Sequence, residues 1–294
     1  MGVDGGYTEQ DVAACAAAFT GHRLDYYNYP YAYYYDPAKA DMTEKAFLGT
    51  TVVTGDDAMD AIFARIECAH HLCWKIWRYF AGPDPSEALL QALALRFRND
   101  HNYEVIPLLK DIFYSEEFYE DGNIGTQIKD PADWIGAAVR SLESTLLPQE
   151  TLRQAMQAMG YTPHRPPNVA GWPEPIGSGN LWLSAANLLF RMNLPAAYTH
   201  RDRSLFYGYA EHEHDRFPEL DFDELAPPHL RGRSEFPLLV ERLRHRLLPF
   251  HRLRPAQVRG LYDAFCETLD SSGSLEATKD LIRLMMALPE YQMQ

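Results

Sequence analysis

Residues 59–80 read MDAIFARIECAHHLCWKIWRYF, and their spacing decides the fold class. Met59, Ile62, Phe63 and Ile66 fall three or four apart, which gathers them on one face of a helix with 3.6 residues per turn. Leu72, Cys73, Ile76, Trp77 and Phe80 repeat the interval, either continuing that helix or beginning another. The pattern recurs in both directions. Upstream, Val12, Cys15, Ala16 and Phe19 follow Thr8, a natural N-cap. Downstream come Leu89, Leu93 and Phe97, then Val105, Leu108, Leu109, Ile112 and Phe113, then Trp134, Ile135, Ala138 and Leu142. Asp84-Pro85 and Asp130-Pro131 each read as an N-cap followed by proline at the first helical position, and Gly160 reads as the stop of a helix ending near Met159.

Beyond residue 180, Trp182, Ala185, Ala186 and Leu189 predict a helix with an apolar face that ends near Asn193. Leu239, Leu243 and Leu247, then Val258, Leu261, Tyr262 and Phe265, then Leu281, Met285 and Leu288 predict three more. The expected fold is mainly α, a multi-helix orthogonal bundle with a small strand-bearing, β-hairpin-like excursion near residues 24–53. Residues 1–198 form its body, 199–230 an acidic and histidine-bearing linker loop, and 231–294 carboxy-terminal helices packing on the same body.

With 46% hydrophobic residues in 294, the chain has enough apolar material for a sizeable core. Its net charge of −14 argues against nucleic acid, whose binding rests on neutralising phosphates. No run approaches the roughly 18 apolar residues that span a bilayer, and no charged-then-apolar signal region opens the chain, so as written it reads as cytoplasmic. Four cysteines, Cys15, Cys68, Cys73 and Cys266, are too few for a disulfide scaffold of this length and read as buried thiols.

Residues 166–173, PPNVAGWP, form a rigid turn that presents Trp172, and they lead to the helix closing on Arg191-Met-Asn193. Together with Asp4-Gly-Gly-Tyr-Thr-Glu9, Phe19-Thr-Gly21, Lys45-Ala-Phe-Leu-Gly49, Lys75-Ile-Trp-Arg-Tyr-Phe80 and Leu288-Pro-Glu-Tyr-Gln292, this stretch resembles the bacterial domain-of-unknown-function family 1800. The family comes with no agreed chemistry and no named cofactor. The resemblance implies a long helical half upstream of the Gly-Tyr-Thr-Glu motif, which would make this chain the carboxy-terminal part of a longer protein. It also implies a periplasmic or exported location if the true start lies upstream. A further implication is a partner resembling alkaline phosphatases and sulfatases, whose genes often neighbour the family's own.

Residues 26–35, YYNYPYAYYY, are the oddest local feature. If extended, Tyr27, Tyr29, Tyr31, Tyr33 and Tyr35 share one face, and Pro30 favours an edge strand. Such a face would stack on sugars or other flat ligands; alternatively it is a strand or hairpin lying on the helical body. Lys75 and Arg78 share a helix face as a carboxylate or phosphate site, or else ion-pair with acidic loops. Asn168, Trp172 and Trp182 either line a pocket or plug the space between helices. His212 and His214, in the run EHEHD, are weak metal candidates on a flexible loop.

Two departures from the resembled pattern weaken a metal role further. His22 stands where many relatives have Trp, and Ala40-Asp41 stands where they have His-Asp. Eight arginines between Arg231 and Arg259 pair most simply with the acidic loop before them. No phosphate loop, nucleophile elbow or His-Glu-x-x-His helix occurs.

The lack of a catalytic constellation in the sequence, together with the gene neighbourhood that the resemblance implies, favours a helical binding or assembly module of the bacterial cell envelope working with a phosphatase- or sulfatase-like protein. The alternative is an enzyme on a polysaccharide or other envelope polymer with Tyr29, Tyr31 and Tyr33 as substrate platform. A metal-dependent oxidoreductase would require the fold to assemble His22, His70, His71 and His101.

Overall fold

A computed structural model of the chain describes residues 1–2, 5–168, 171–172, 182–202, 204 and 218–294. Among them are twelve α-helices and two separate two-stranded antiparallel sheets, the mainly α fold with a strand-bearing excursion that the periodicity predicts. No helix among the described residues is long and apolar enough to cross a membrane. Backbone contacts gather the chain into two compact units, Met1–Glu120 and Asp121–Gln294.

In the first unit α1 (Glu9–Ala18) starts at Thr8, whose side chain caps Asp11 N while Asp11 returns the bond to Thr8 N. Strands β1 (His22–Asp25) and β2 (Ala32–Tyr35) form one hairpin, β3 (Lys45–Phe47) and β4 (Thr50–Val52) the other. Leu48 and Gly49 both have positive φ, the condition for the tight turn joining β3 to β4. Lys45 is buried with its Nζ donating to the carbonyls of Asp41 and Thr43, at 2.8 and 2.7 Å. The Lys-Ala-Phe-Leu-Gly motif is therefore a folding device.

The stripe of residues 59–80 resolves into two helices, α2 (Gly55–Phe63) and α3 (Ile66–Phe80), parted at Arg65, whose backbone is extended. With α4 (Glu87–Asn99) and α5 (Val105–Phe113), α3 encloses the main core of the unit, centred on Cys73, Trp77, Phe97, Leu108 and Ile112. Asp84 does not cap α4. Ser86 does, accepting from Leu89 N, because Asp84 is drawn to the Trp74 indole and the Arg78 guanidinium, which both donate to its Oδ1.

The second unit holds α6 (Pro131–Leu142), α7 (Gln149–Ala158), α8 (Ala185–Thr199), α9 (Phe222–Leu225), α10 (Phe236–Leu247), α11 (Pro255–Ser272) and α12 (Ser274–Ala287). Asp130 caps α6 ahead of Pro131, and Gly160 closes α7 at φ 80°, both as the sequence predicts. Trp134, Tyr198, Leu239, Phe265, Leu281 and Met285 meet in one core, with α12 packed against α8, α10 and α11. The end of the chain is clasped to residues 127–129, where Gln127 and Gln294 exchange backbone hydrogen bonds and Lys129 N donates to Gln292 O. Of the expected linker loop, residues 205–217 lie outside the described residues. Arg231 and Arg242 grip its far end through the carbonyls of Phe222, Glu224, Leu225 and Ala226.

Helix α8 departs from its sequence reading in two ways. It runs past Asn193 and through Pro195 to Thr199. It also buries Asn187, Arg191, Leu194 and Tyr198, leaving Ala185, Ala186 and Leu189 exposed, so the face turned inward mixes polar side chains with Leu194.

Gly273 alone separates α11 from α12, at φ 92° and ψ 174°, a region an L side chain rarely adopts. Its added Cβ would meet open space, so the cost of Gly273→Ala is backbone strain alone. A loss of about 1–2 kcal/mol in urea unfolding is expected.

Candidate functional site

The tyrosine run is folded into a hairpin, so it does not present one continuous extended face. The register pairs His22 with Tyr35, Arg23 with Tyr34, Leu24 with Tyr33 and Asp25 with Ala32, and residues 26–31 form the connection. Neither strand pairs with a third among the described residues, and residues on both faces of β2 are exposed. The tip is nearly bare, with Tyr27 99% and Tyr29 88% exposed. Tyr31 anchors the tip rings, lying 5.8 Å from Tyr26 and edge-on to Tyr29 at 5.7 Å.

His22 is the residue that sequence reasoning undervalued here. Its ring packs against Tyr33 and Tyr35, at 5.8 and 5.2 Å, and its Nδ1 is 2.8 Å from the Tyr33 hydroxyl. The signal was present in the departure from the relatives' Trp, which counts in the sequence only against a metal role but places another ring at the base of the hairpin. A cavity of about 610 Å³ beside the hairpin is lined by His22, Arg23, Tyr26, Tyr34 and Lys39, among others. Asp25, on its rim, accepts from the Asn28 amide at 2.7 Å and from Tyr27 N at 2.9 Å, which holds its carboxyl below the usual range. A carboxylate so held is a poor proton donor.

The two cations on α3 do not act as a pair. Arg78 binds Asp84 at 2.9 Å and lies over the Trp74 ring, 4.9 Å from its centroid, whereas Lys75 stands exposed. Trp77, from the same motif, is core, with its indole donating to Pro83 O at 2.9 Å.

At the tryptophan loop, Gly171 N donates to Asn168 O at 3.1 Å and closes the turn. Trp172, buried Trp182 and Tyr161 form a triad with centroid separations of 4.7–5.8 Å. Asn168 is exposed. Residues 169–170 and 173–181 lie outside the described residues, as do His212 and His214.

The four histidines named for a redox centre are dispersed over different contacts. His70 faces Glu87 at 3.7 Å, His71 stacks on Trp74, His101 binds Asp111 at 2.7 Å, and His22 belongs to the hairpin. Among the described residues no three His, Cys, Asp or Glu side chains come together as a metal would require. Burial raises the Cys68 thiol and pushes Cys73 up to about 12.

The remaining motifs are also structural. Tyr291 is buried edge-on to Trp134 at 5.5 Å, and the buried Gln292 amide donates to Met286 O, which anchors the Leu-Pro-Glu-Tyr-Gln ending in the core. No curated protein and no solved structure matches the chain. The family model described as Protein of unknown function (DUF1800) matches residues 1–293, essentially the whole sequence, so the chain belongs to that family.

Proposed function

We propose that the protein is a binding module of the bacterial cell envelope that docks on a second protein through its tyrosine hairpin, the partner being the phosphatase- or sulfatase-like product of a neighbouring gene. The observation that carries this reading is a run of seven tyrosines, each at least 44% exposed, on a hairpin with both strand edges unpaired among the described residues. A two-stranded hairpin is marginal in water, so a third strand or a covering surface would stabilise it. Unpaired edges accept an added strand, and tyrosine is enriched at protein interfaces because it offers an apolar ring with a polar tip.

The purified chain and its hydrolase-like neighbour are expected to co-elute in size-exclusion chromatography. The variant carrying Tyr27→Ser, Tyr29→Ser and Tyr31→Ser should bind at least tenfold more weakly while keeping its circular dichroism spectrum. Equal binding by this variant would remove the hairpin from the interface.

A second reading, a platform for a polysaccharide or other envelope polymer, draws on the same rings and on the cavity beside His22, Arg23 and Lys39. Under it the wild type is retained on a polysaccharide affinity gel and the triple variant is not, with no complex between the two proteins.

A further inference from the structure

Helix α6, the end of α10 with residues 248–251, and residues 290–294 line a cleft of about 540 Å³ in the second unit. That volume suits a small molecule, for which sites run from roughly 300 to 1,000 Å³. Its charges do not cancel. Of the two acids on its wall, Glu143 pairs with Arg246 at 2.7 Å, and Glu290 accepts from the Gln257 amide at 2.9 Å. His251 packs its ring against Gly125.

Two cations remain. Arg140, on the last turn of α6, has no hydrogen bond or ion pair to its side chain among the described residues. Lys129 is 8% exposed; among the described residues its Nζ meets the Tyr291 carbonyl, at 2.6 Å, and the Tyr291 ring, 4.1 Å from the centroid. Burial pulls Lys129 down to about 8, Arg191 and Arg140 add to that, and Asp133 opposes it. Asp133 in turn accepts from the Gln294 amide at 3.1 Å, and Asp130 is occupied in capping α6. A chain with a net charge of −14 thus keeps, among the described residues, two cations with no carboxylate in ion-pair contact in one concavity. Leu247, Leu248, Phe250 and Met293 supply an apolar stretch of the wall, with Ser141 and Gln294 adding neutral polar groups.

We propose that this cleft binds an amphipathic carboxylate, its charged end between Arg140 and Lys129 and its apolar body against Leu247, Phe250 and Met293. The planar guanidinium of Arg140 matches a carboxylate fork, and an anion there offsets the desolvation of the Lys129 ammonium. The cleft and the hairpin belong to different units, so the two proposals stand or fall separately.

Isothermal titration with decanoate and with naphthalene-2-carboxylate tests this, with decan-1-ol and inorganic phosphate as controls. At least one carboxylate should bind at least tenfold more tightly than decan-1-ol and than phosphate. Arg140→Gln should weaken it at least tenfold with an unchanged melting temperature, since Arg140 is exposed and unpaired. Lys129→Gln is the second variant and should weaken it similarly. Failure of both carboxylates to bind overturns the proposal. So does undiminished binding by Arg140→Gln, or phosphate binding as tightly as the carboxylates.

Discussion

Trp77→Ala is expected to destabilise the first unit by about 4–5 kcal/mol, the largest effect of any single substitution considered for it. Trp77 is 1% exposed at the centre of the core formed by α3, α4 and α5. Truncating a fully buried tryptophan removes its transfer free energy and leaves a cavity, together about 3–5 kcal/mol. The substitution also takes the indole N–H from Pro83 O, about 1 kcal/mol more. Trp77→Phe keeps most of the packing, including the edge contact with Phe118, and loses only the hydrogen bond and part of the ring. It should cost about 1–2 kcal/mol, mostly the price of an unmade bond and a small void. Urea unfolding followed by circular dichroism separates the two. A Trp77→Ala loss under 1 kcal/mol would contradict the packing described.

The second large effect runs the other way. Arg191→Met is expected to stabilise the second unit by about 2–3 kcal/mol, because it removes the desolvation cost of a buried charge that makes no hydrogen bond among the described residues. Arg191 is fully buried on α8, and among the described residues none of its three guanidinium nitrogens has a hydrogen-bond partner. Burial pulls it down to about 10, with the Asp130 carboxylate acting in the opposite sense. Asp130 is not orphaned by the change, because its Oδ1 keeps the bond from Asp133 N. Methionine follows the same path through the core without the desolvation cost, whereas Arg191→Lys retains the charge and should give no gain. A destabilisation by Arg191→Met in thermal or urea unfolding would mean that the guanidinium contributes net stability.

The helical fold was legible because the apolar intervals are long and regular, as at Leu89–Phe97 and Leu239–Leu247. The hairpin between Lys45 and Val52 was legible only as an irregular excursion, since three-residue strands carry almost no period. Asp84-Pro85 misled because a capping aspartate competes with any nearby cation, and Arg78 and Trp74 stand closer to it in the fold than the helix it precedes. Helix α8 misled for a related reason. Its small apolar residues suggested an inner face, but tertiary packing turned Asn187, Arg191 and Tyr198 inward instead. The tyrosine run was visible from composition alone. The cleft between Lys129 and Arg140 was not, because its walls come from three segments far apart in sequence.

The shielding of Cys73 gives the first unit an internal reporter of its own opening. The thiol is wholly buried one turn from Trp77 and pushed up to about 12, so an alkylating reagent meets it only when that core parts. Cys15 and Cys266, only partly covered, would be blocked first. The rate at which Cys73 then gains mass under native conditions, divided by its rate in denaturant, is the fraction of time that the core is open. A local free energy follows from that ratio with no added probe.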